Sequence, residues 1–243
     1  MQQFWLNYVR NLEIEVLGIY PDRDPTNPKV LLPKGRAHIR INKLGVEIRG
    51  IAYGKRTYGK QGKGRKRWFV KRLGELHPLK DGSTVFVPTV IFFKNHLEIW
   101  RAISKLILET LRANPLPYEN KARIFPFDKL PNRIQPPPPG EPCPSGPPWT
   151  EVVEKYKIQL INIDSKTEGI PEAGTKERGS CHVYLPTFGV EIKNIRYKTS
   201  HNWTKDFIVV RPAATFMNAE GEEELAPTVS FMENSRLVWR AIA

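Results

Sequence analysis

Half of the residues between Gly54 and Arg67 carry a positive charge. Seven of these fourteen residues are Lys or Arg, and glycines at positions 54, 59, 62 and 64 separate them. Tyr58 lies within this stretch and Trp68 directly follows it. Cationic side chains neutralise phosphates and aromatic rings stack on bases, so this combination is typical of nucleic-acid binding. The glycines predict a flexible arm that follows a groove and becomes ordered on contact.

Other uses of a basic, glycine-rich arm are a ribosomal-type tail, a membrane-surface patch and a disordered solubilising loop. No basic amphipathic helix accompanies the arm, which favours nucleic acid over an anionic lipid surface. Trp68 also has a structural interpretation, because Phe207 occupies the corresponding place later in the chain and either ring could belong to a core. The predicted nucleic-acid contacts are Lys55, Arg56, Tyr58, Lys60, Lys63, Arg65, Lys66, Arg67, Trp68, Lys71, Arg72, Lys198, Trp203, Lys205 and Arg211.

The net charge of +13 is unevenly distributed along the chain. Residues 1–114 contain 22 Lys or Arg and 9 Asp or Glu, residues 115–149 contain 4 and 3, and residues 150–243 contain 12 and 13. Solubility alone predicts no such asymmetry. An excess of positive charge in one half of a chain indicates a polyanionic partner for that half.

Two histidines, His38 and His182, occur at matching places in the two halves of the chain, as do Glu47 and Glu191. A catalytic base needs a nucleophile or an orienting carboxylate beside it. The glutamates could lie across a hairpin from the histidines, but we interpret them as cross-strand pairs on a solvated sheet face. The sequence motifs of common hydrolases, metalloproteases and P-loop proteins are absent. The sequence therefore predicts neither an enzyme nor a bound cofactor.

Cys143 and Cys181 are too few and too far apart for a disulfide framework or a zinc site, so no metal is expected. This cysteine usage fits a reducing, cytoplasmic environment, in the nucleoid or in a ribonucleoprotein. No apolar run reaches 18 residues, so no membrane span or membrane partner is predicted. Residues 1–12 lack the basic region and cleavage site of a signal peptide.

The basic arm belongs to an element order that occurs twice. Pro88–Ile103 and Pro227–Ile242 are identical at nine of sixteen positions. Upstream, the two copies align at a separation of 144 residues, and from Arg72 and Arg211 onward at 139, which leaves the first copy five residues longer near the arm. This internal duplication predicts two domains, residues 1–114 and 148–243, joined by a proline-rich linker at 115–147.

Each repeat reads as four or five strands followed by one helix. In the first repeat a strand begins at Leu12 and a loop spans residues 21–34. A hairpin covers residues 37–53, and its apolar pattern inverts near Gly50, which predicts a bulge there and at Asn194. After the arm and the strand 68–72, an extended segment at 84–93 contains Pro88, which requires an edge strand or a bulge. Asn95 is then expected to cap an amphipathic helix.

These elements predict an α+β fold. Each domain is expected to be a small antiparallel twisted sheet with its C-terminal helix packed on one face, and the two domains to form a pseudo-dimer. Twelve of the residues 115–149 are proline, which predicts an extended tether and allows an SH3-type ligand. The second helix begins near Ser235 and has about nine residues, so either it docks on a partner surface or the sequence is truncated.

Both repeats resemble the SpoVG family of small bacterial nucleic-acid-binding regulators. The resemblance rests on element order and on Val190–Tyr197, Phe207–Pro212, Pro227 and the helix with Trp239, matched in the first repeat by Val46–Tyr53, Trp68–Arg72, Pro88 and the helix with Trp100. It implies a prokaryotic regulator in which two fused copies replace a dimer that binds DNA and RNA. In that family the basic residues follow the Phe-Val strand, whereas here they precede it. The family's binding mode is therefore not expected to carry over.

The sequence thus predicts a non-enzymatic protein that binds DNA or RNA through the arm of its first repeat. The alternative is a structural or adaptor subunit of a larger ribonucleoprotein or effector assembly. In that case the second repeat, the acidic residues 222–224 or the proline-rich linker would bind protein partners, and further oligomerisation is open.

Overall fold

The computed structural model describes residues 4–24, 26–27, 29–58, 65–78, 82–114, 118–119, 133–134, 149–165, 175–200, 207–217 and 223–243. Its α-helices there are α1 (Phe4–Leu12), α2 (His96–Ala113), α3 (Trp149–Tyr156) and α4 (Ser235–Ile242). Its strands there are β1 (Ile14–Arg23), β2 (Leu31–Ile41), β3 (Val46–Tyr58), β4 (Arg65–Lys71), β5 (Gly74–Pro78), β6 (Thr84–Pro88), β7 (Val90–Phe92), β8 (Tyr118–Glu119), β9 (Arg133–Ile134), β10 (Gln159–Ser165), β11 (Thr175–Leu185), β12 (Val190–Ser200), β13 (Phe207–Val210), β14 (Ala213–Met217), β15 (Glu223–Pro227) and β16 (Val229–Phe231).

The predicted α+β class is confirmed, with mostly antiparallel sheets. Each repeat also begins with a helix, α1 or α3, that the sequence analysis did not predict. The strand expected from Leu12 begins at Ile14 instead, because Leu12 is the last residue of α1. The α2 helix begins one residue after Asn95 and α4 at Ser235, close to the expected positions. Asn95 does not cap α2 through its side chain. It adopts the left-handed backbone conformation (φ 55°) and forms no side-chain cap hydrogen bond.

The chain divides into two compact units, and each unit contains part of both repeats. Unit 1 comprises residues 1–73, 95–125 and 213–230, and unit 2 comprises residues 74–94, 126–212 and 231–243. The sheet of unit 1 has the order β16-β3-β2-β1-β8, with β4 also paired to β3. The sheet of unit 2 has the order β10-β11-β12-β13-β9, with β7 also paired to β12. The units therefore do not follow the boundaries at 1–114 and 148–243.

The exchanged segments occupy equivalent places in the two sheets. In unit 2, β7 of the first repeat pairs antiparallel with β12, with Val90 opposite Ile192 and Phe92 opposite Val190. In unit 1, β16 of the second repeat pairs with β3. The two-stranded sheets behave alike, since β5–β6 belongs to unit 2 and β14–β15 to unit 1. Pro88 lies at the end of β6 in such a two-stranded sheet, which is the edge position expected for a strand proline.

The hydrophobic core of unit 1 lies on one face of its sheet. Ala37, Ile39 and Ile41 alternate along β2, and their partners on β3 share their face because antiparallel partners project to the same side. All of these residues are fully buried. The α2 helix contributes a buried apolar stripe at helical spacing, consisting of Ile99, Trp100, Ile103, Ile107 and Leu111. The sheet face and the helix therefore each contain the buried apolar residues that the expected packing of the helix on the sheet requires.

The bulge predicted near Gly50 is present in both repeats. Ala37 pairs with Ile51 but Ile39 pairs with Ile48, so two residues of β3 oppose one residue of β2. Gly50 has φ 74° and its counterpart Asn194 has φ 60°. The extra residue inverts the alternation, which keeps apolar side chains on the core face before and after the bulge.

The loop expected at residues 21–34 is shorter than predicted. The β1 strand continues to Arg23 and β2 begins at Leu31, and Asp24 accepts hydrogen bonds from the backbone N–H and the hydroxyl of Thr26. The basic arm is also more ordered than predicted. Its residues up to Tyr58 and from Arg65 onward are paired strands, and positions 59–64 lie outside the described residues. Most of the proline-rich linker also lies outside them, apart from the short strands β8 and β9.

Unit 2 has a core of contacting aromatic rings. Phe188 lies between Tyr156 and Phe231, with ring centroids 5.2 and 4.6 Å away, and Trp239 of α4 follows at 6.0 Å from Phe231. The short α4 helix is therefore held by packing, as its length requires. Within the described part of the chain, no helix is both long and apolar enough to cross a membrane.

Candidate nucleic-acid interface

The basic arm forms a two-stranded ribbon that extends the sheet of unit 1. We call residues 52–58 and 65–71 the basic ribbon. Its ladder pairs Lys55 with Trp68 and Arg56 with Arg67, and farther along it pairs Tyr58 with Arg65. Like charges directly opposite each other in a ladder repel and lower the stability of the pairing. The position of Arg56 opposite Arg67 therefore places two repelling guanidinium groups at one point of the ribbon.

Cations from three strands share the sheet face that carries this arginine pair. Arg36 of β2, Ala52 of β3 and Lys71 of β4 lie in one cross-strand row. The next row on the same face contains Lys34, Gly54 and Phe69, and the row after it contains Arg56 and Arg67. We call the group Lys34, Arg36, Arg56, Arg67, Phe69 and Lys71 the cationic face. At about 4.8 Å between strands and 3.3 Å per residue, it extends roughly 10 Å by 13 Å.

Phe69 provides an aromatic ring in the centre of the cationic face. A Cβ atom added at Gly54 would lie 3.1 Å from the Phe69 ring and 3.5 Å from the Cβ of Lys34, so these three residues project to the same side. The Phe69 ring therefore lies over Gly54, and part of the ring stays exposed beside the cations. A base could therefore stack near phosphates that the cations hold.

The charges of the cationic face are available to a ligand. Arg56, Arg67 and Lys71 are exposed, and no carboxylate of the described residues forms an ion pair with them. Lys34 has a long contact of 3.8 Å from its Nζ to Asp22, and its side chain is 60% exposed. Ion pairs this exposed contribute little stability, so a phosphate can replace the carboxylate at small cost.

The opposite face of the basic ribbon has a different arrangement. The Nζ atom of Lys55 lies over the Trp68 ring at 4.5 Å from its centroid, and Tyr53 packs against the same ring at 5.9 Å. Burial raises the pKa of the Tyr53 hydroxyl, and the charge of Asp22 raises it further. Trp68 is half-buried in this stack. Both interpretations of Trp68 are therefore compatible with its position. The ring supports the ribbon, and part of the residue remains accessible.

Among the other predicted contacts, two that the structure describes belong to unit 2 and not to the sheet of unit 1. Arg211 is only 3% exposed and belongs to unit 2, so its predicted role as a phosphate contact is not supported by its position. Lys198 is also in unit 2, where it is paired with Ile208. Arg72 follows the basic ribbon and lies near His96, whose pKa is lowered mainly by burial and then by the Arg72 charge. The side chains of Tyr58, Arg65 and Lys66, and all of Lys60, Lys63, Trp203 and Lys205, lie outside the described residues.

Three members of the cationic face, Lys34, Arg36 and Phe69, were missed in the sequence. Lys34 is the last residue of the loop that was expected at residues 21–34, and it lies directly before Gly35 and the alternating residues of β2. Arg36 was visible as the polar residue before Ala37. Only the strand register shows that Arg36 lies in one cross-strand row with Lys71, because Ala52 of β3 lies between them.

The repeated histidine and glutamate do not lie on a solvated face in unit 1. His38 is 4% exposed and Glu47 is fully buried, which contradicts the predicted exposure. Arg40 lies opposite Glu47 and donates two hydrogen bonds to its Oε1, at 2.9 and 2.7 Å, and Arg49 donates one to its Oε2 at 2.6 Å. The two guanidinium groups compensate the negative charge of the buried carboxylate.

His38 occupies the position opposite the bulge and packs against Tyr20 in a tilted arrangement, with 4.5 Å between ring centroids. Burial and, to a smaller extent, the charge of Arg49 together lower its pKa to about 3. The β14 strand packs nearby, because a Cβ atom at Gly50 would come within 2.5 Å of the Ala214 side chain. The polar group is therefore enclosed in the fold, which favours a structural role over catalysis.

The equivalent position in unit 2 is more open. His182 lies 3.8 Å from Asp164, and Lys193 lies 3.3 Å from Glu191. Burial is the largest influence on the His182 pKa and lowers it. Cys181 is a buried free thiol whose pKa burial raises to about 11. In the described parts of the chain, no group of three or more His, Cys, Asp or Glu side chains is placed to hold a metal ion.

The second repeat lacks the arginine pair. The positions that correspond to Arg56 and Arg67 are Ser200 and Asp206, and the position of Lys71 is taken by Val210. Part of the charge asymmetry of the sequence therefore lies in the basic ribbon and its sheet face. Comparisons of this chain with protein-family models, with curated proteins and with solved structures give no match.

Proposed function

We propose that this protein is a non-enzymatic nucleic-acid-binding protein and that the cationic face of unit 1 binds the phosphate backbone. The observation that carries the proposal is the exposed pair of Arg56 and Arg67, held opposite each other beside Phe69. Two repelling cations at one point of a ladder lower stability unless an anion lies between them. A polyanion supplies such a charge, and the neighbouring ring offers stacking to a base.

The arm adds to this surface. Arg65 and Lys66 continue the basic ribbon beyond the arginine pair, and Lys60 and Lys63 follow in sequence. The face is roughly 13 Å long, which corresponds to about four nucleotides at 3.4 Å per nucleotide. A short site of this kind makes mainly backbone contacts, so the expected binding has a strong salt dependence and little sequence preference.

We also propose that the two repeats form the covalent pseudo-dimer that the SpoVG-like element order implies, and that its units exchange strands. Two features support this. The repeats share one element order, and equivalent segments, 74–94 and 213–230, are assigned to the unit of the other repeat. A cytoplasmic role at the nucleoid or in a ribonucleoprotein would follow from such a protein.

The test is a binding series with four polymers, single- and double-stranded DNA and RNA, each at several salt concentrations. The wild-type chain is compared with Arg56→Gln/Arg67→Gln and with the control Arg101→Gln/Lys105→Gln, which removes the same charge from the exposed side of α2. The proposal expects weaker binding and a smaller salt dependence only in the first variant. Equal effects of both variants would indicate a general charge effect and contradict the assigned face.

A further inference from the structure

Phe69 lies between two rows of cations on the cationic face. Arg67, Phe69 and Lys71 project to one side of β4, because alternate residues of a strand share a face. Arg56 lies opposite Arg67 in the row on one side of the ring. Lys71 shares the row on the other side with Arg36. Neighbouring rows are about 6.6 Å apart, so positive charge flanks the ring in both directions along the strand.

Gly54 provides the place where this ring lies. It is buried in β3 directly opposite Phe69. A Cβ atom at Gly54 would lie 3.1 and 3.2 Å from two atoms of the Phe69 ring, which is closer than ordinary van der Waals contact. Glycine weakens a strand interior, and an aromatic ring packed over it compensates for the missing side chain. Phe69 is half-buried in this position, so part of it is available to a ligand.

The equivalent row in unit 2 has no aromatic ring. There Lys198 of β12 lies opposite Ile208 of β13, in the places that Gly54 and Phe69 take in unit 1. The same sheet position therefore folds with an aliphatic side chain. The arginine pair is absent from the second repeat as well. The ring thus occurs where the cations occur, which associates it with them and not with a requirement of the shared fold.

A double helix would leave Phe69 without a partner. The bases of a duplex stack on one another in its interior while its phosphates face outwards, so the cations would meet phosphates and the ring would meet no base. The major groove admits an α-helix or a two-stranded ribbon, whereas the row through Phe69 spans three strands and includes Lys34 of β2. A phenylalanine at the centre of this face also offers no hydrogen bond to a base edge.

We propose that the cationic face binds single-stranded nucleic acid, with one base stacked on Phe69 and the phosphates on either side of that base held by the cations. This inference rests on the proposed function and names its substrate class. The bases of a single strand can turn out of the stack, so one strand presents phosphates and the flat side of a base to the same surface. Such stacking tolerates any sequence, because every base has an aromatic face.

The test measures the fluorescence anisotropy of labelled oligonucleotides of about twelve units, as single strands and duplexes of DNA and of RNA, with the full chain. We expect tighter binding to the single strands than to the duplexes. Phe69→Leu should weaken single-strand binding by about fivefold or more and leave duplex binding unchanged. It should also leave the salt dependence unchanged, because no charge is lost. The control Phe4→Leu replaces a phenylalanine of α1 that is 62% exposed, and it should change neither affinity.

A second measurement leaves the protein unaltered. The wild-type chain is titrated with a thymidine strand and with an abasic strand of the same length, which keeps the phosphates and sugars. The abasic strand should bind about fivefold or more weakly, and Phe69→Leu should not weaken its binding further.

Equal affinity for the thymidine and abasic strands would overturn the inference, because the backbone alone would then account for binding. So would duplexes that bind as tightly as single strands, or an equal effect of Phe69→Leu on both. These three results leave the proposed function in place. Absence of binding to all four polymers would instead overturn the proposed function, and the inference with it.

Discussion

Replacing Arg56 and Arg67 together with glutamine should separate nucleic-acid binding from fold stability. The two residues are exposed and lie opposite each other in the ladder between β3 and β4. Like charges in this arrangement oppose pairing by about 0.2–1 kcal/mol, so the double variant should unfold at an unchanged or slightly higher urea concentration. Substitutions in a core element usually have the opposite effect and lower stability.

The binding loss follows from counterion release. Each phosphate contact contributes about 0.9 to the salt slope on double-stranded DNA and about 0.7 on a single strand, so losing two contacts should reduce the slope by about 1.8 or 1.4. Extrapolated from 1 M to 0.1 M salt, these reductions in slope correspond to an affinity of the variant about 60-fold or 25-fold below that of the wild-type chain.

Fluorescence anisotropy from about 50 to 300 mM salt measures the slope, and urea unfolding of the same samples measures stability. The control Arg101→Gln/Lys105→Gln removes the same net charge from α2 and should alter the slope little. An unchanged slope in the arginine variant would refute the cationic face as the binding surface. A parallel loss of affinity and of unfolding free energy would refute the argument from repulsion.

Two further predictions concern the core of unit 1. Gly50→Ala should lower the free energy of unfolding by about 1–3 kcal/mol, because φ is 74° and the new Cβ would meet Ala214, whereas Asn194→Gly should change it by less than about 1 kcal/mol; urea titrations compare them. Burial and Arg49 lower the pKa of His38 to about 3, below the unfolded value of 6.5, so its contribution to stability is full above pH 6.5 and falls by up to about 1.4 kcal/mol per unit toward pH 3. His38→Gln should flatten that part of the urea-midpoint profile, and an unchanged profile would contradict the assignment.

The sequence was sufficient for features that depend on neighbouring residues. The bulge is one example, because the inversion of apolar alternation requires an extra residue, and Gly50 and Asn194 are residue types that accept a positive φ. The start of α2 and the position of Pro88 followed from similar local rules. The duplication was visible because the two segments that form the last strand and helix of each repeat retain the same residues.

Features that depend on strand pairing across the chain were not accessible in the same way. The alternation that identifies β7 as a strand does not indicate that it pairs with β12, 100 residues later. The burial of Glu47 could not be predicted for the same reason. Its partners Arg40 and Arg49 satisfy its charge, but the covering segment β14 comes from the other repeat. The extension of the two strands into the arm, to Tyr58 and from Arg65, was also hidden, because the charge and glycine content there are typical of loops.

The two repeats differ at positions that the shared core does not constrain. The core-facing residues of the hairpin match, with Val46 and Ile48 corresponding to Val190 and Ile192, all fully buried. A substitution there would create a cavity or a clash in either unit. The ribbon and the outer edge strand are exempt from this requirement, since their side chains face solvent in at least one unit. One repeat can therefore carry the cationic face while the other, with the same core, lacks its arginine pair.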